Sequence, residues 1–162
     1  MPTKKSQPRW LGPKELKAWR AYIQTSRRVW DAMESDLNAH DLSMSDYEIL
    51  VLLSEAPERA LRMSELAESA LISKSRLSHR ITAMERAGLV TRKLCQEDKR
   101  GSFAVMTDKG WKAIVKAAPD HVESIRQRFL DQLTAQDQED LARIFERVSQ
   151  KLREQFSSEC GK

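Results

Sequence analysis

The sequence predicts a mainly α-helical chain that carries one small antiparallel β-hairpin, and three observations point there. Apolar residues recur at helical spacing through most of the 162 residues, and only five Gly and five Pro interrupt them. Alternating and β-branched residues gather in one place, between Leu89 and Met106. After a polar arm, Trp19, Ile23, Trp30, Met33 and Leu37 fall on one stripe, so a long amphipathic helix is expected over Pro13 to His40. Ser45 with Glu48 makes a capping-box pattern ahead of Tyr47, Ile49, Leu50, Leu52 and Leu53, which predicts a second helix ending before Pro57. Ser64 is the expected cap of a third helix over Glu65 to Ala70. Ser73 is that of a fourth over Lys74 to Ala87, closed by Gly88, with Leu71 and Ile72 as the tight turn between them.

The hairpin follows, Leu89 to Cys95 and Ser102 to Met106 around a polar tip at Gln96 to Gly101. Thr107 and Asp108 stand where a cap would open a fifth helix, with Trp111, Ile114, Val115, Val122, Ile125 and Phe129 as its apolar positions. Pro119 inside that pattern fits either one bent helix or two pieces. Thr134 with Asp137 caps a last helix, on which Leu141, Ile144, Phe145, Val148, Leu152 and Phe156 form a stripe.

The charge is unevenly distributed. The net of +4 resolves into +7 on residues 1–30, −8 on 31–72 and +5 on 73–100. A basic block after an acidic one reads either as the footprint of an anionic polymer or as a solvated face. No run approaches the roughly 18 apolar residues of a membrane span, and the start lacks the apolar core of a signal peptide. A soluble cytoplasmic protein without a membrane partner is the expectation. No Gly-rich phosphate loop, nucleophile elbow or His-carboxylate metal motif occurs, which argues against an enzyme and against any cofactor.

Two short helices at a tight turn, followed by a hairpin, make a winged helix-turn-helix. On its second helix Leu77, Ile81 and Met84 face the core, while Ser75, Arg76, Ser78, His79 and Arg86 lie mainly elsewhere. Hydroxyls, guanidinium groups and an imidazole suit base edges and phosphates in the major groove of double-stranded DNA. The helix N-terminus near Ser73 offers free amides to a phosphate. At the tip, Glu97, Asp98, Lys99, Arg100 and Gly101 put two cations on a turn, and an Arg so presented can enter a narrow minor groove. A solvated polar turn is the other reading of the tip taken alone.

These residues resemble the MarR (multiple antibiotic resistance regulator) family of bacterial transcription factors over nearly the whole chain. The resemblance rests on Leu66-Ala67, on Ser73 to Ile81 leading to Met84-Glu85-Arg86-Ala87-Gly88-Leu89-Val90, and on Asp98-Lys99-Arg100-Gly101 followed by Met106 to Gly110. It implies a repressor that sits as a homodimer on a pseudo-palindromic operator. It also implies a small phenolic or aromatic effector held between the dimer helices and the DNA-binding lobe. By the same resemblance Ser75, Arg76 and His79 match base-reading positions, Lys74 and Ser78 match reading-helix contacts, and Arg100 matches a minor-groove arginine supported by Asp98. Two positions depart from the pattern: Arg80 stands where the family commonly has an apolar residue, and His79 where Arg is common. Arg80 is therefore expected to reach a phosphate or to snorkel along the surface.

Dimerisation also follows from the pattern alone, because a winged lobe of about 70 residues does not need apolar stripes at both chain ends. Folding back onto the lobe is the alternative. Leu141, Phe145, Val148, Leu152 and Phe156 are the expected dimer contacts. The expected organisation is an arm and dimerisation helix over 1–40, a DNA-binding lobe over 41–107 and dimerisation helices over 108–162. Trp19, Tyr22, Trp30 and Tyr47 read either as the lining of an aromatic effector pocket or as core. Cys95 and Cys160 admit a thiol-based redox sensor, and a winged helix that binds protein instead of DNA is a further alternative. His40, His79 and His121 lack companions at ligand spacing, so no metal is expected.

Overall fold

The computed structural model describes residues 8–94 and 101–159, with side chains described as far as Glu154. The elements are α1 (Pro13–Asn38), α2 (Met44–Glu55), β1 (Ala60–Arg62), α3 (Met63–Ser69), α4 (Lys74–Arg86), β2 (Val90–Leu94), β3 (Ser102–Met106), α5 (Asp108–Arg128) and α6 (Ala135–Glu159). Short 3₁₀ turns cover Pro57–Arg59 and Leu130–Gln132. The chain divides into two compact units, one up to Ala117 and one from Ala118, and α5 runs through the division.

In the first unit, Glu15 reaches back to accept the Gly12 amide at 2.7 Å and so closes the start of α1. The expected box at the head of α2 is displaced by two residues: Ser43 is the cap, not Ser45, and Asp46 replaces Glu48. The Ser43 hydroxyl accepts the Asp46 amide at 3.1 Å, while the Asp46 carboxylate accepts the Ser43 amide at 3.3 Å and its hydroxyl at 2.6 Å. This register buries Met44 and Tyr47. Glu34 of α1 accepts the Met44 amide at 2.7 Å and thereby ties α1 to the head of α2.

Ser64 does not cap α3. That helix begins at Met63, directly after β1, and its N-cap Arg62 makes no side-chain cap bond. Strand β1 has no counterpart in the sequence pattern. It pairs antiparallel with β3 through Ala60↔Val105, Leu61↔Ala104 and Arg62↔Phe103, so the sheet order is β1-β3-β2. Glu58 and Arg59 enter it with φ of 54° and 55°. The Arg59 guanidinium lies 4.0 Å from the centre of the Trp111 ring.

Helix α4 ends in a Schellman motif. The Leu89 amide donates to Met84 O and the Gly88 amide to Glu85 O, each at 2.9 Å, with Gly88 at φ 73° as the left-handed residue. The Thr107 hydroxyl donates to Gly88 O at 2.7 Å and accepts the Gly110 amide at 3.0 Å, so it both anchors the turn and opens α5. Gly110 packs so closely that a Cβ there would stand 2.2 Å from Leu89 O. The core of the unit joins Leu37 of α1, Ile49, Leu50 and Leu53 of α2, Leu66 of α3, the stripe of α4, Val90 of β2 and Ala104 of β3.

In the second unit, α5 continues through Pro119 as one helix, which settles the choice left open by the sequence. Thr134 and Asp137 form the expected reciprocal cap, with amide bonds of 3.0 and 3.2 Å. The Thr134 hydroxyl donates to the Asp137 carboxylate and holds it below the usual carboxylate range. Ile144, Phe145, Val148 and Leu152 are 38–47% exposed along α6. Among the described residues no helix is long and apolar enough to cross a membrane.

The Gly110–Leu89 approach predicts that Gly110→Ala costs about 1–3 kcal/mol of stability, because backbone at both sides must shift. Urea unfolding should show an earlier midpoint, and an unchanged midpoint would mean that the start of α5 yields freely.

Candidate nucleic-acid interface

Helix α4 has two unlike faces. Leu77, Ile81 and Met84 are at most 1% exposed, and this fixes the rotation of the helix on the core. Lys74, Ser75, Arg76, Ser78 and His79 are consequently all exposed, with Arg86 exposed at the far end. The Ser73 hydroxyl accepts the Arg76 amide at 3.3 Å and caps the helix. There is no acidic residue in the first turn, where Lys74 is the leading residue. A cation at the positive end of a helix costs about 0.3–1 kcal/mol. A surface that tolerates this cost is suited to an anion.

Arg80 is not free on this face. Its guanidinium lies 3.6 Å from Asp46 Oδ1 and 3.4 Å from Ser43 Oγ, so it joins α4 to the head of α2. Ser45, Ile72, Arg76, His79, Arg80 and Ala83 line a shallow cleft beside it.

Arg92 of β2 was missed. Its Nη1 lies 3.0 Å from Glu85 Oε2, and its Nη2 donates to Ser78 O at 2.8 Å and to Thr82 Oγ1 at 3.1 Å. The only sequence signal was an acid and a base on either side of the Gly88 turn. A cleft of about 310 Å³ opens between α4 and the sheet, with Arg62, Lys74 and Arg92 among its lining residues and Ser64, Ser78 and Ser102 beside them. Arg62 carries no sequence signal of its own, because the three residues of β1 do not declare a strand. Its guanidinium lies 5.3 Å from the centre of the Phe103 ring.

Asp98, Lys99, Arg100 and Cys95 at the tip lie outside the described residues, as do Cys160 and the side chain of Phe156. The aromatic set separates. Trp19 and Tyr22 are about half exposed on α1 with ring centres 5.9 Å apart. Trp30 lies eight residues beyond Tyr22, about 12 Å further along the helix axis at 1.5 Å per residue. Tyr47 is 7% exposed within the core, and burial pushes its hydroxyl above the ordinary pKa. Among the described residues no group of three or more His, Cys, Asp or Glu gathers as a metal site.

Paired short helices, a strand-anchored hairpin and a cationic second helix define a winged helix-turn-helix protein. The sequence profile of the MarR family matches residues 40–101. The crystal structure of AbsC, a MarR family transcriptional regulator from Streptomyces coelicolor, is similar at 44% identity and a TM-score of 0.88, covering 90% of this chain and 99% of that one. Sco3205 from the same organism, a MarR family regulator solved in complex with DNA, matches at 40% identity and a TM-score of 0.88 over 90% of this chain and 92% of its own. The transcriptional regulator HosA of Escherichia coli is 31% identical over 99 residues, 61% of this chain and 71% of that protein. The chain belongs to the MarR family of DNA-binding transcriptional regulators.

The cap geometry predicts that Ser73→Ala lowers stability by about 1 kcal/mol, since one amide at the head of α4 loses its acceptor. Thermal unfolding followed by circular dichroism should show the shift, and no shift would assign that amide to solvent.

Proposed function

We propose that this chain is a cytoplasmic, non-enzymatic repressor that reads double-stranded DNA as a homodimer on a pseudo-palindromic operator. The observation that carries the reading is the exposed face of α4. Its buried stripe fixes the rotation of the helix, and Lys74, Ser75, Arg76, Ser78 and His79 all stand clear of the core. The DNA complex of Sco3205 supports the same use of this lobe. Arg76 reads a base, for which guanine O6 and N7 are the commonest partners of an arginine. Lys74, Ser73 and the wing residues Lys99 and Arg100 engage phosphates and the minor groove, and Asp98 supports Arg100.

Leu141, Phe145, Val148, Leu152 and Phe156 of α6 form a dimer contact, and α1 is a dimerisation helix in its own right. The exposure of Trp19, Trp30, Phe145, Val148 and Leu152 in the protomer supports this, because apolar stripes of this kind mark surfaces that another molecule covers. A small aromatic or phenolic effector releases the operator by binding a DNA-incompetent arrangement better than the competent one.

Arg76→Ala should cost about 1–3 kcal/mol per half-site on an operator selected from a random duplex pool and far less on random DNA. Equal losses on both would remove the base-reading role. The paired change Val148→Glu and Leu152→Glu should give monomers by light scattering with poor operator affinity. A dimer that survives it would overturn the α6 assignment.

A further inference from the structure

We infer that Arg92 and Glu85 form a positioning clamp that sets α4 against the wing, and that sequence discrimination depends on it. The inference rests on the DNA-reading function proposed above and concerns residues that flank the reading face at Ser78. Arg92 touches α4 at three levels: at Ser78 O and Oγ (2.8 and 3.4 Å), at Thr82 Oγ1 (3.1 Å) and at Glu85 Oε2 (3.0 Å). Its backbone amide adds a fifth contact, donating to Glu85 Oε1 at 3.0 Å. Ser78 to Glu85 is about 10 Å of helix, so one guanidinium and one carboxylate grip nearly two turns. Thr82 completes the grip by donating its hydroxyl to Ser78 O at 2.9 Å.

Three properties separate this arrangement from a surface ion pair. The guanidinium is a planar fork whose donors are fixed relative to one another, so it dictates orientation where an ammonium would not. Its charge is met by Glu85, which leaves it poorly placed to replace a counterion of DNA. Both side chains are about one-third exposed, where a lone pair contributes little to global stability. What the clamp governs is the spacing between helix and wing, which must match the groove spacing of one duplex for both elements to engage together.

The test uses the full-length chain with Glu85→Gln and Arg92→Lys, titrated against the selected operator and against random duplex across a salt series. Charge alone predicts that Glu85→Gln tightens binding to both duplexes, since it removes a negative charge beside a polyanion. The clamp predicts the opposite sign on the operator, an affinity lower by about tenfold, with random-duplex affinity held or raised. Arg92→Lys, which keeps the charge, should lose a similar factor on the operator with an unchanged salt slope. The double variant should lose no more than the worse single one, because both changes break one unit. Should Glu85→Gln fail to fold, the Arg92→Lys pair of titrations decides.

Tighter binding of Glu85→Gln to both duplexes overturns the clamp. So does an equal loss of Arg92→Lys on both with a salt slope shallower by about one, which would make Arg92 a phosphate contact. Sequence preference in the wild type that both variants keep sinks the clamp alone. Absence of any preference in the wild type sinks the DNA-reading function with it.

Discussion

The burial of Leu77, Ile81 and Met84 is the constraint on which the reading head depends. A helix of 13 residues is marginal in water, and α4 opens with Lys74 at its unfavourable end. What holds it is the apolar stripe packed with Leu50, Leu53, Leu66 and Val90, where each large side chain carries about 2–5 kcal/mol against truncation. Because the stripe is three residues wide and fully covered, α4 cannot rotate without exposing it. The polar face is therefore specified by the core, and function is set by what lies on the far side of the same helix.

The negative block between residues 31 and 72 has a structural use beyond solubility. Glu34 ties α1 to α2, and Asp46 caps α2 and takes Arg80. Acids that in composition only offset the basic segments are placed where they hold the lobe together. Arg80 shares this arrangement: its guanidinium lies beside Asp46 and Ser43 at the head of α2, and it lines the cleft next to Arg76 and His79. Of the cations on α4, Lys74, Arg76 and Arg86 are the ones exposed.

Much of this was legible from sequence because long periodic segments and cap residues state their own geometry. The stripe of α4, the Ser73 cap, the Gly88 stop and the Thr134–Asp137 box all formed where the pattern put them. The failures have local causes. Three residues are too few to show a period of two, so Ala60–Arg62 was unreadable as a strand until β3 was present to pair with it. Two Ser-x-x-acid patterns overlap at the head of α2, and the burial of Met44 and Tyr47, a tertiary effect, selects Ser43 over Ser45. Ser64 lost its capping role to the same strand, since the chain passes from β1 into α3 without a turn. Arg92 was hidden because an orientation-dependent contact between a strand and a helix has no sequence spacing of its own.

The lysine at the head of α4 has a thermodynamic consequence for the unbound chain. With no carboxylate in the first turn to neutralise the partial charge of the helix end, the free protein carries an unrelieved repulsion that any bound anion lessens. An anion held at that end by the DNA-binding function stabilises the native lobe by mass action, in proportion to its concentration over its dissociation constant. Binding and folding of the lobe are then linked, because the same helix end that meets the anion is held in place by the core.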